Sequence, residues 1–116
     1  MSEYSDSPGK TTIALEVLYT IARLTTLQVD GVNRMATIPA RVDRIFKRSL
    51  AEGVVIEVED DTVYADLYVI LEGDVNIRDV SKCIQNDVAR AISEMVGMQV
   101  GRVNVHVEDV EFPRED

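Results

Sequence analysis

The stretch GVVIEVEDDTVYADLYVIL, residues 53–71, decides the fold. Its first half alternates, with Val54, Ile56 and Val58 on one face and Val55, Glu57 and Glu59 on the other. Its second half does the same. Val63, Ala65, Leu67, Val69 and Leu71 share one face, and Tyr64, Asp66, Tyr68 and Ile70 share the other. Glu59-Asp60-Asp61-Thr62 lies between the two runs and carries a turn signal. The pattern predicts an antiparallel hairpin, apolar on one face and mixed on the other. Such a hairpin needs cover on its apolar face, which helices elsewhere in the chain must supply.

Toward the C-terminus, Ile77, Val80, Ser81, Ile84, Val88, Ala91, Ile92, Met95 and Val96 recur at helical spacing. Asn76 suits the N-cap, with Asp79 three residues on, and Gly97 suits the stop. RVNVHVEDV at 102–110 then reads as a strand with Val103, Val105 and Val107 inward and Asn104, His106 and Glu108 outward. Strand, helix and strand make a β-α-β unit, right-handed if both strands share a sheet. Toward the N-terminus a helix starts at Ile13, with Val17, Leu18, Ile21, Leu24, Thr25 and Gln28 as its stripe. It stops near Gln28-Val29-Asp30-Gly31, where the glycine permits a left-handed conformation.

Residues 33–50 carry a different signal. Pro39 suits a first helical turn. Ile38, Val42, Ile45, Phe46 and Leu50 then fall on one side of a wheel, and Arg41, Arg44, Lys47 and Arg48 on the other. A helix this short must dock to be stable. With Arg34, the segment holds five cations against the single acid Asp43, in a chain of net charge −9. Such a layout suits docking on an anionic partner or head-to-tail self-association. The alternative is a solvated face balanced by acids of the same fold.

The expected fold is therefore α/β in the α+β sense: a small mixed three-stranded sheet with helices packed on one face. The order is helix, short helix, strand, strand, helix, strand. One domain spans 11–112, between tails at 1–10 and 113–116, as 116 residues allow. A content of 46% apolar and 28% charged residues excludes a disordered chain. No apolar run is long enough to span a bilayer. The N-terminus has no secretory signal pattern, so a cytoplasmic location is expected. The acidic balance argues against general nucleic-acid binding.

Signals for chemistry are few. One histidine and one cysteine offer no metal-ligand spacing. His106 is a half-exposed strand residue before it is a general base, and Cys83 a small packed residue before it is a nucleophile. Gly97-Met98-Gln99-Val100-Gly101 follows a helix, not a strand, so it reads as a turn and not a phosphate cradle. No basic G-x-x-G loop joins two helices, which sets aside a KH-type RNA-binding domain. Asp60-Asp61 and Glu108-Asp109 read as solvated acids. No catalytic, cofactor or metal residues are expected. The candidate partner-binding residues are Arg41, Arg44, Lys47 and Arg48, with Tyr64, Tyr68 and His106 on the open sheet face. Tyrosines beside apolar residues mark interfaces. The alternative use of that face is a ligand site or small active site around His106, Tyr64 and Tyr68.

TTIALEVLYTIARLTTLQVDGV at 11–32 and EGVVIEVEDDTVYADLYVILEGDVNIRDVSKCIQNDVARAISEMVGMQVGRVNVHVEDV at 52–110 together resemble the alkaline shock protein family, the bacterial envelope stress response proteins. The marks are the helix closing at Gly31-Val32, the strands at 53–58 and 63–69, Ile84-Gln85 in the long helix, and the ending at 95–110. The resemblance covers residues 11–110 and rests on the order and spacing of these marks. It implies a small cytoplasmic domain without a catalytic centre, tied to cell-envelope homeostasis. It also implies protein partners: self-association into a homo-oligomer, or docking on a small integral anchor protein at the inner face of the membrane. The chain departs from many members over 33–50, where it is strongly basic.

Overall fold

A computed structural model describes residues 13–39 and 52–113. The expected short helix, with Arg41, Arg44, Lys47 and Arg48, lies outside the described residues, as do residues 1–12 and 114–116. The order is α1 (Leu15–Leu27), β1 (Val32–Met35), β2 (Val54–Glu59), β3 (Thr62–Glu72), α2 (Ile77–Val96) and β4 (Gln99–Glu111). Among the described residues the fold is α+β, with two helices and an open four-stranded sheet.

The hairpin forms as the sequence predicts. β2 pairs antiparallel with β3 from Val54↔Leu67 to Glu59↔Thr62. Asp60 and Asp61 turn the chain with φ of 51° and 63°. Positive φ at both central residues is the type I′ turn, whose twist matches that of the strands. β4 pairs parallel with the other edge of β3 across its whole length, closing the β-α-β unit. Asn76 caps α2 by accepting from the Asp79 amide at 3.0 Å, and Gly97 stops it with φ of 80°.

The valines of β4 show how its register is written. Val100, Val103, Val105, Val107 and Val110 step by two except at the first and last intervals, which step by three. The register shifts between Val63/Tyr64 and Val69/Ile70 fall at those intervals, leaving Gly101 and Glu108 as the extra residues. Each bulge restores the apolar side of β4 to the helix face. Glu108 is thus a bulge residue and not a regular outward position.

Three expectations need correction. The sheet has four strands, not three, because Val32–Met35 adds a strand to β3 at Leu71, Ile70 and Val69. Four residues are too few to show a period. The inward side of α1 is Leu18, Tyr19, Ala22 and Thr26, whereas Val17 and Leu24 are exposed. The helix has two apolar stripes, and periodicity alone does not say which one meets the sheet. Cys83 is exposed on α2, its Sγ 4.0 Å from Asp87 Oδ2, and is not packed in the core.

One core fills the space between the helices and the sheet. Val54, Ile56, Val63, Ala65, Leu67, Val69 and Leu71 meet Leu18 and Ala22 of α1 and Val80, Ile84, Val88 and Ile92 of α2. Burying each of the larger aliphatic side chains contributes about 1.5–3 kcal/mol. Tyr19 also closes an edge: the Ile56 amide donates to its hydroxyl at 3.3 Å. Both helices lie on one side. The sheet's other face is built from the second set of alternating residues.

Candidate functional site

β1 and β2 do not lie side by side. Both pair antiparallel with the same edge of β3, β1 at Val69–Leu71 and β2 at Thr62–Leu67. They behave as one edge strand cut at Tyr68. The Ala36 amide donates to the Tyr68 carbonyl at 2.8 Å, and the Tyr68 amide donates to the Gly53 carbonyl at 2.8 Å. The chain leaves the edge after Ala36 and rejoins it at Gly53, so both ends of the basic excursion are anchored on one residue.

Gly53 makes the return possible. Its φ is +76°, and a Cβ there would sit 2.8 Å from the carbonyl oxygens of Ala36 and Tyr68. Only glycine combines that conformation with that approach. Across the break, Thr37 Oγ1 lies 3.5 Å from Glu52 Oε2. A hollow of about 550 Å³ opens beside it, lined by Arg23, Leu27, Arg34, Met35, Thr37 and Ile70 among others.

Four cross-strand rows fill the middle of the outer face. They are Glu57–Tyr64–Arg102, Val55–Asp66–Asn104, Tyr68–His106 at the break, and Arg34–Ile70–Asp109. Side-chain contacts tie partners within the rows, and the Asp66–His106 contact joins two of the rows. Arg102 lies 5.3 Å from the Tyr64 ring centroid, a cation–π contact. Asp66 Oδ1 accepts from Asn104 Nδ2 at 3.1 Å and lies 2.9 Å from His106 Nε2. The His106 ring stacks on Tyr68 at 4.4 Å and 12°. Arg34 reaches Glu111 at 3.1 Å, an exposed pair that adds little stability.

Of the predicted site residues, Tyr64, Tyr68 and His106 therefore share this face. The expectation that Tyr68 is exposed needs correction: only 4% of it is accessible, because Ala36, Val55, Ile38 and Ile70 pack around it. Tyr64 and His106 are half-buried. Sequence reasoning missed Asp66 as the hub and Arg102 as a partner of Tyr64. Both were legible as outward positions. Their pairing was not, because the Gly101 bulge sets which β4 residue meets which β3 residue. No cluster of metal-ligating side chains occurs among the described residues. No described helix is long and apolar enough to cross a membrane.

This geometry defines a class: a small two-layer α+β domain whose outer sheet face, uncovered by helices among the described residues, carries its own cross-strand contacts. Residues 3–112 match the alkaline shock protein 23 family, described as having a cell envelope-related function, and the chain belongs to that family. The uncharacterized protein Spy1535 of Streptococcus pyogenes is 36% identical over 103 residues, covering 88% of this chain and 79% of that protein. The uncharacterized protein YqhY of Bacillus subtilis is 29% identical over 106 residues, covering 90% and 78%. Among solved structures, MamM-CTD superposes with a TM-score of 0.53, covering 83% of this chain and 99% of that one. At 11% identity that likeness concerns the fold alone.

Proposed function

We propose that this chain is a non-catalytic docking module of the cell envelope. It works by holding a protein partner against the outer sheet face and by associating with copies of itself. The observation that carries the reading is the knitting of that face. Asn104, Asp66, His106 and Tyr68 form one connected chain of contacts, and Arg102 lies over Tyr64 beside it. Groups held in place before binding lose little freedom on docking, which is how a flat face gains affinity. Aromatic and arginine side chains are the residues that dominate such contacts.

Ala36 and Gly53, on either side of the basic segment, both meet Tyr68, which supports a role for Arg41, Arg44, Lys47 and Arg48 in the same docking. The segment's partner is an acidic protein surface, and a small membrane anchor protein at the inner face of the cell membrane fits that role. The test replaces Tyr64 and Arg102 with Glu in the full chain, within its native cell. Release from the envelope fraction of a variant that still folds, by circular dichroism and cooperative melting, supports the reading. An unchanged distribution refutes it.

A second reading draws on the Asp66–His106 pair. A carboxylate holding one imidazole nitrogen fixes the ring's orientation, as in general-base sites. It makes the face a small-ligand or active site around His106, Tyr64 and Tyr68. A His106→Ala variant that fully complements a deletion strain ends this reading and leaves the docking reading standing.

A further inference from the structure

Among the described residues, nothing covers the second apolar stripe of α1. Ile13, Val17 and Leu24 are 38%, 43% and 46% exposed. Val17 and Leu24 lie about half a turn around the helix from Leu18, Ala22 and Thr26, which face the core, at 100° per residue, and Ile13 precedes the Ala14 N-cap. Exposed apolar residues scattered singly need no explanation, but these form a line. Within the helix, Val17, Thr20 and Leu24 step by three and four, the spacing of a coiled-coil seam, and Ile13 lies at its N-terminal end. Glu16 and Arg23, seven residues apart, border the seam on one flank. Neither has an ion-pair partner among the described residues.

We propose that this stripe is a self-interface, on which α1 of a second copy packs antiparallel about a two-fold axis. The inference rests on the self-association included in the docking reading, and it assigns that association to a surface away from the outer sheet face. The flanking charges select the occupant and its direction. In an antiparallel pair, equivalent flanks face one another, so Glu16 of each copy meets Arg23 of the other. A parallel pair would set Glu16 and Arg23 against Ile21 and Gln28, with no complement. Val17 packs on Thr20 of the second copy, and Leu24 on Ile13. One helix stripe buries less than the ~800 Å² per partner of a standard interface. The association is therefore weak, concentration-dependent and sensitive to salt.

Sedimentation equilibrium of the full chain across a wide concentration range tests this. The wild type should gain mass with concentration toward a dimer. Leu24→Glu should remain monomeric with unchanged melting, since Leu24 lies outside the core. Glu16→Arg and Arg23→Glu should each weaken association on the order of tenfold, because each turns two attractions into repulsions. The double reversal, Glu16→Arg with Arg23→Glu, should restore it. A wild type that stays monomeric, or a double reversal no better than the singles, overturns the proposal. Association that survives Leu24→Glu but falls in the Tyr64→Glu, Arg102→Glu variant also overturns it, and leaves the outer-face reading standing. Binding of wild type to anionic vesicles, lost in Leu24→Glu while the mass stays monomeric, would assign the stripe to a lipid surface and overturn it as well.

Discussion

Replacing Gly53 by Ala tests how the edge strand is cut. The perturbation has two parts. A side chain at φ +76° costs about 1–2 kcal/mol for the left-handed conformation alone. The new Cβ also lies 2.8 Å from two backbone carbonyl oxygens, of Ala36 and Tyr68, and backbone cannot rotate aside as a side chain can. Moving them strains the hydrogen bond from the Ala36 amide to the Tyr68 carbonyl. A strained hydrogen bond and crowding add about 1–2 kcal/mol. The total is about 2–4 kcal/mol, a fall in melting temperature of about 10–25 °C for a domain this size. Gly97→Ala is the internal control. Its φ is +80°, yet a Cβ there meets nothing within 4 Å, so it carries only the conformational part, about 1–2 kcal/mol. Urea and thermal unfolding followed by circular dichroism compare the two. Gly53→Ala must be the worse variant. Equal losses would refute the claim that Ala36, Gly53 and Tyr68 meet at one crowded point.

Other replacements probe single contacts. Tyr19→Phe keeps the ring but leaves the Ile56 amide without its hydroxyl partner, and should cost about 1–3 kcal/mol in urea unfolding. Asn76→Ala removes the cap of α2 and should cost about 1 kcal/mol by the same assay. Asp61→Gly relieves a non-glycine residue at φ 63° in a type I′ turn and should raise the melting temperature, by about 0.4–1 kcal/mol of stability. Gly101→Ala would put a Cβ 2.4 Å from the Tyr64 ring, so it should shift that ring's NMR resonances and loosen the contact with Arg102.

The elements easiest to see in the sequence were those with long, clean periods. The β2–β3 hairpin alternates over its full length, and α2 carries a stripe bounded by Asn76 and Gly97. β1 was invisible because Val32–Met35 is too short for a period and sits between a helix stop and a basic segment. The orientation of α1 was misread because Val17 and Leu24 form a second stripe as regular as the one that is buried. Tyr64, Tyr68 and His106 were placed on the correct face by alternation alone. That Tyr68 is enclosed follows from Ala36 and Val55 arriving beside it, a long-range meeting that no local pattern encodes.

The central claim is that the outer sheet face docks this domain to the envelope. The most direct measurement is fractionation of native cells carrying either the wild-type full chain or the Tyr64→Glu, Arg102→Glu variant. The account predicts wild type in the envelope fraction and the variant in the soluble fraction, with the purified variant still folded by circular dichroism and cooperative melting. Wild type wholly in the soluble fraction, or a variant that stays with the envelope, would contradict it.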